Sequence, residues 1–137
     1  MALSVEEIIA VQNVAVRMYH AGDGENARGY ADLYSEDGTL DGPFGKAEGR
    51  DAVFAWMDDY VSQGHEAGVR HFITNMLVED HAEGARLRCY VMKMNVAEGP
   101  SFIGTGDLDI LMVREGSDWK IKYNKITIDP ALLKKKA

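Results

Sequence analysis

Apolar residues recur at helical spacing along the first half of the chain and at a spacing of two along the second. Ser4 followed by Glu7 is a capping-box pattern, and Ile8, Val11, Ala15, Met18 and Tyr19 then form one apolar stripe. A helix is therefore predicted from Ser4 to about His20, with Gly22 as its C-cap. A short second helix is predicted from about Asn26 to Tyr34, burying Tyr30, Leu33 and Tyr34. Ser35-Glu36-Asp37-Gly38 reads as a turn whose glycine takes positive φ. Thr39 to Asp41 reads as a short strand ended by Gly42-Pro43-Phe44-Gly45. Gly49-Arg50-Asp51 leads into a third helix with the stripe Val53, Phe54, Met57 and Val61, stopping near Gln63-Gly64.

From there the period changes to two, and strands are predicted at about Val69–Val78, Ala85–Val96, Phe102–Arg114 and Trp119–Ile128. The breaks Asp80 to Gly84, Glu98 to Ser101 and Glu115 to Asp118 suit hairpin connections. Helices followed by long antiparallel strands imply an α+β single domain, with the helices packed on one face of a curved sheet. Several strands are apolar on both faces: Tyr90, Met92 and Met94 alternate with Leu87, Cys89 and Val91. One face can be covered by helices; the other wants a partner, which predicts a homo-oligomer (dimer or trimer) through the outer sheet face.

The first long strand carries the most telling polar residues. In strict alternation His71, Ile73, Asn75 and Leu77 share one face, and Phe72, Thr74, Met76 and Val78 the other. Both faces are largely apolar, so His71 is either a satisfied core histidine or the base of an enclosed site.

Composition narrows the classes. The chain has 137 residues, 46% hydrophobic and 27% charged, which suits one globular domain with a real core. A formal charge of -7 argues against a nucleic-acid partner. The basic run Lys134-Lys135-Lys136 reads as a solvated tail. A single cysteine, Cys89, excludes an intrachain disulfide and falls in an apolar strand pattern as a small core residue. With no signal-peptide pattern and no apolar run of membrane-spanning length, a soluble, cytoplasmic protein is expected.

Few polar groups could carry chemistry. No metal-ligand spacing, nucleophile elbow or phosphate loop stands out, so neither a metal nor another cofactor is expected. Tyr19, Tyr30, Tyr34 and Tyr90 offer hydroxyls, Asp107 and Asp109 share a strand face, and Arg114 ends that strand. The most interesting combination is Asp23 with His71. A carboxylate accepting from one ring nitrogen fixes the tautomer and makes the other nitrogen a better base. Asp23 beside Gly22 and Gly24 also reads as an ordinary turn or cap residue.

Five markers occur in order: Met18 to Asp23; Tyr30 to Gly38; Gly49 to Val53; Arg70 to Asn75; and Asp118 to Ile121. With them the chain resembles the SnoaL-like branch of the NTF2-like superfamily, which includes scytalone dehydratase, a dehydrochlorinase and polyketide cyclases. The resemblance implies a cone-shaped α+β barrel and a cofactor-independent lyase or isomerase. It also implies a small, mostly apolar cyclic substrate. Asp23 and His71 match the family's dyad, His71 as general base and Asp23 as its orienting partner. Tyr19, Tyr30, Asn75, Tyr90, Asp107 and Arg114 are the candidate substrate contacts. Gly22 stands where scytalone dehydratase has a tyrosine. Two alternatives are a non-catalytic ligand-binding or oligomerisation module of the same fold, and a hydrolase in which Asp107 activates water.

Overall fold

The computed structural model describes residues 2–131. Three helices pack on a six-stranded curved sheet. Helix α1 (Val5–Asp23) begins at the expected capping box: the Ser4 hydroxyl accepts from the Glu7 N–H, and the Glu7 carboxylate accepts from the Ser4 N–H. Its buried line is Val11, Val14, Ala15, Met18 and Gly22. Helix α2 is only Ala27–Ala31, capped by the Asn26 side chain on the Gly29 N–H. Helix α3 (Arg50–Ser62) buries Val53 and Met57.

The strands are β1 (Tyr34–Gly42), β2 (Gly45–Glu48), β3 (Val69–His81), β4 (Gly84–Asn95), β5 (Ser101–Glu115) and β6 (Asp118–Ile128). Their order is β2-β1-β6-β5-β4-β3, with all pairs antiparallel except β1 with β6. β2 and β3 remain edges, so the sheet curls into an open cone, the cone-shaped α+β architecture that the resemblance implies. The helices cover its concave side. There Leu87 and Cys89 of β4, Leu108, Ile110 and Met112 of β5, and Ile121 of β6 meet Val11, Ala15, Met18 and Val53.

Three local readings are corrected. The second helix stops at Ala31, and Tyr34 opens a strand that runs through the expected turn at Ser35–Gly38. Gly38 is needed there for space and not for positive φ: a Cβ would lie 2.5 Å from the Ile121 carbonyl oxygen of β6. The short strand β2, which pairs with the end of β1, is an addition.

The third correction concerns β3. Its pairing with β4 shifts between Thr74 and Leu77, and Asn75 adopts a φ of 55°. This is a bulge: one extra residue resets the alternation, and asparagine tolerates the left-handed conformation better than most side chains. His71 and Ile73 point to the concave side before the bulge, and Met76 and Val78 after it, while Phe72, Thr74, Asn75 and Leu77 are exposed. Strict alternation would have put His71 and Met76 on opposite faces.

Candidate active site

The turn after α1 brings two distant residues together. The Gly24 N–H closes the last helical turn onto the His20 carbonyl, and Asp23, the final residue of α1, reaches β3. Its Oδ2 accepts from the His71 backbone N–H at 3.0 Å, and its Oδ1 lies 2.6 Å from His71 Nδ1. A carboxylate only accepts, so Nδ1 carries the proton and Nε2 holds the free lone pair. Nε2 has no hydrogen-bond partner among the described residues. The Tyr19 ring stacks on the imidazole, centroids 4.6 Å apart and planes 24° apart, and so fixes the ring's plane from α1.

Burial sets the charge state. Desolvation holds the His71 pKa below its ordinary 6.5, outweighing the Asp23 carboxylate that pulls it up; Lys93 adds a smaller push downward. The imidazole is therefore neutral at pH 7. Burial also lifts the phenols of Tyr19 and Tyr30 well above their usual 10, so both remain protonated.

His71 lies on the wall of a cavity of about 150 Å³ between the helices and the concave sheet. Its lining is mainly apolar, including Leu40, Trp56, Met57, Val91 and Ile126, with Tyr19 and Tyr30 among the polar-tipped residues. Two further ionisable groups line it. Glu66, in the loop before β3, is only 4% exposed; its Oε2 has no hydrogen-bond partner and stands 3.8 Å from His71 Nδ1. Burial pushes this carboxyl up to about 7, with the Asp23 and Glu25 carboxylates adding to the rise and Lys93 opposing it. Lys93 of β4 donates to the Tyr60 hydroxyl at 3.2 Å, and Trp56 stacks on Tyr60 at 5.0 Å.

Asp23, Glu66 and His71 also bring one donor atom each within 4.8 Å of one another. They are the cluster among the described residues that could hold a metal ion. In the present arrangement the Nδ1–Oδ1 separation is that of a strong hydrogen bond.

Of the eight residues singled out from sequence, His71, Tyr19 and Tyr30 line the cavity, and Asp23 stands behind His71 on its Nδ1 side. The other four are placed elsewhere. Asn75 is exposed at the bulge, which turns it outward. Tyr90 is 60% exposed on the convex face, and Asp107 is its partner across the β4–β5 ladder. Arg114 donates to Glu7 at 3.0 Å and lies over the Trp119 ring. Asp109 is held by two hydrogen bonds from Arg86. The Asp107 carboxylate of the hydrolase alternative is thus absent from the cavity wall. Cys89 is buried, and desolvation raises its thiol to about 12, which leaves it inert.

Glu66 and Lys93 are the residues that sequence reading passed over. A signal for Lys93 was present: it keeps the phase of Cys89 and Val91 on β4, so period two directs it inward. Glu66 gives no such signal, because a lone glutamate in a loop reads as solvated.

An open α+β cone whose cavity wall carries a hydrogen-bonded carboxylate–imidazole pair defines the class. The chain belongs to the SnoaL-like domain family, whose sequence profile matches residues 4–125. No curated protein sequence matches it significantly. Solved structures establish the same fold. A protein of unknown function with a cystatin-like fold from Nostoc punctiforme is 21% identical, with a TM-score of 0.86 over 96% of this chain and 98% of that one. An NTF2-like protein from Novosphingobium aromaticivorans is 20% identical, with a TM-score of 0.81 over 90% and 82%. A provisionally named scytalone dehydratase from the same organism is 20% identical, with a TM-score of 0.75 over 91% and 85%.

Proposed function

We propose that the chain is a cofactor-independent lyase or isomerase that removes a proton from carbon in a small, mostly apolar cyclic substrate. The observation that carries this reading is the 2.6 Å contact of His71 Nδ1 with Asp23 Oδ1 on the wall of an apolar cavity. The neutral imidazole takes the substrate proton on Nε2. Asp23 keeps Nδ1–H in place and stabilises the imidazolium that forms. The electron pair left on carbon then expels a leaving group from the neighbouring carbon or shifts a double bond. The imidazolium returns the proton to the departing oxygen or to the far end of the shifted system.

The pH dependence follows from the direction of the His71 shift. The free base is the active form and its folded pKa lies below 6.5, so the His71 limb of kcat/KM should rise with pH and be complete before pH 7. Asp23→Asn should move that rise to still lower pH, because it removes the charge that holds the pKa up. The same shift links to folding. Between the folded pKa and 6.5 the unfolded chain binds more protons than the folded one. Stability from this group is therefore full above 6.5 and is lost as pH falls through the folded pKa. A kcat/KM that declined with rising pH across 5 to 7 would contradict His71 as the base.

The convex face supports self-association as part of this reading. Phe72, Leu77, Tyr90, Met92 and Phe102 are exposed on it, at 45%, 51%, 60%, 38% and 58%. Apolar side chains in such a group favour burial against a second copy of the chain. The double variant Tyr90→Lys, Leu77→Glu should shift the mass measured by light scattering to that of the monomer while leaving the circular dichroism spectrum unchanged. An unchanged mass, or a monomeric wild type, would remove this element of the proposal.

A further inference from the structure

Asp23 already has two donors from His71, whereas Lys93, in the same apolar cavity, has no carboxylate in direct contact. Its nearest acidic atom, Glu66 Oε1, is 3.9 Å away. A built-in ion pair would close to about 2.7–2.9 Å, yet Glu66 instead leaves its other oxygen without a partner. One hydrogen of the Lys93 ammonium goes to the Tyr60 hydroxyl, and two remain. The cavity thus contains a cation short of one anion and a buried carboxyl short of one partner. Both stand on the polar side of a space of about 150 Å³, a volume that holds about one benzene-sized ring.

The geometry points to a single-ring carboxylic acid as the cavity's ligand class, its carboxylate received by Lys93 and the Tyr60 hydroxyl, with the Glu66 carboxyl donating beside it. This names the substrate class of the site proposed above and rests on that cavity being the place of reaction. A second acid in the cavity must keep its proton to sit next to a bound carboxylate. Glu66 is suited to this. Asp23 and Glu25 at the end of α1 and the burial of the group favour its neutral form, and Lys93 from β4 is the single cation opposing it. His71 from β3 is neutral, as are Tyr19 and Tyr30. Without bound anion Glu66 titrates at about 7, so a carboxylate ligand should bind more weakly as pH rises through that value.

Benzoate and benzamide, which differ little in shape, provide the test, with binding read by calorimetry or by the fluorescence of Trp56 in the cavity wall. At pH 6 the wild-type protein should prefer benzoate by about tenfold or more. Above pH 7 benzoate affinity should fall, approaching about tenfold per pH unit, and Glu66→Gln should flatten that fall. Lys93→Met should erase the preference, and Lys93→Arg should retain most of it. Equal affinity for the two probes, or binding of neither, overturns the proposal on wild-type protein alone, whatever the variants do. The dyad is tested separately: His71→Gln should bind benzoate normally. Full turnover in that variant would remove the base while leaving the carboxylate subsite standing.

Discussion

Replacing His71 by glutamine is expected to lower kcat/KM by about 10²- to 10⁴-fold, the usual loss when a positioned general base is removed. Glutamine keeps similar volume and a polar end for Asp23 but has no basic nitrogen, so the cavity persists and only proton abstraction is lost. The measurement does not depend on which leaving group the substrate carries. Exchange of acidic C–H protons for deuterium, followed by NMR on a panel of single-ring compounds, reports the first step directly. Asp23→Asn should slow the same exchange, because an amide can donate to Nδ1 and so stabilise the tautomer whose proton sits on Nε2. Wild-type exchange rates in His71→Gln would end the dyad reading, and exchange at the uncatalysed rate in both proteins would leave ligand binding as the role of the cavity. The alternative of a non-catalytic binding module predicts that outcome.

The largest effect on stability is expected at Leu87. It is 0% exposed, in the middle of β4 on the concave side where sheet and helices meet. Leu87→Ala removes apolar contacts and leaves a void that close-packed neighbours only partly fill, for a loss of about 2–5 kcal/mol. Urea unfolding should show a lower midpoint with an unchanged slope. Ile9→Ala is the control: on the outer side of α1 and 51% exposed, it should stay within about 0.5 kcal/mol of wild type. Comparable losses at the two positions would contradict the placement of the core.

How far sequence reading reached depended on what each residue's signal could carry. The capping box at Ser4 and Glu7 fixed the start of α1 because both partners are local. The long strands β4, β5 and β6 were legible because their concave faces are almost uniformly apolar. β2 was not legible: its four residues include Lys46 and Glu48, and it exists because β1 offers it an edge. Ser35–Gly38 looked like a turn from composition alone. It lies instead within β1, as an irregular stretch between the residues that pair with β6, and the bare glycine at Gly38 lets the Ile121 carbonyl of β6 come close. At the site, nothing in the spacing of Asp23 and His71 says that they touch. The resemblance to a family drew them together, and the capped turn after α1 does it physically. The four contact candidates that stand away from the cavity do so for different reasons. The bulge at Asn75 turned that residue out, and the convex orientation of Tyr90 and Asp107 follows from the same alternation that buries Cys89 and Leu108. Arg114 is held by Glu7 and Trp119.

The pairing of β1 with β6 has a kinetic consequence. Asp41 and Lys125, joined across that ladder, lie 84 positions apart in the chain. Their strand pair cannot zip outward from a hairpin, so most of the loop-closure entropy must be lost before this contact gives anything back. β3, β4, β5 and β6 form a continuous meander of neighbours and can assemble early. The β1–β2 ribbon, and with it the Leu40 and Phe44 side of the cavity, must wait to dock on β6. On a ribosome that order is enforced: the Leu40 and Phe44 side of the cavity is made before β6 and finds its place only after it.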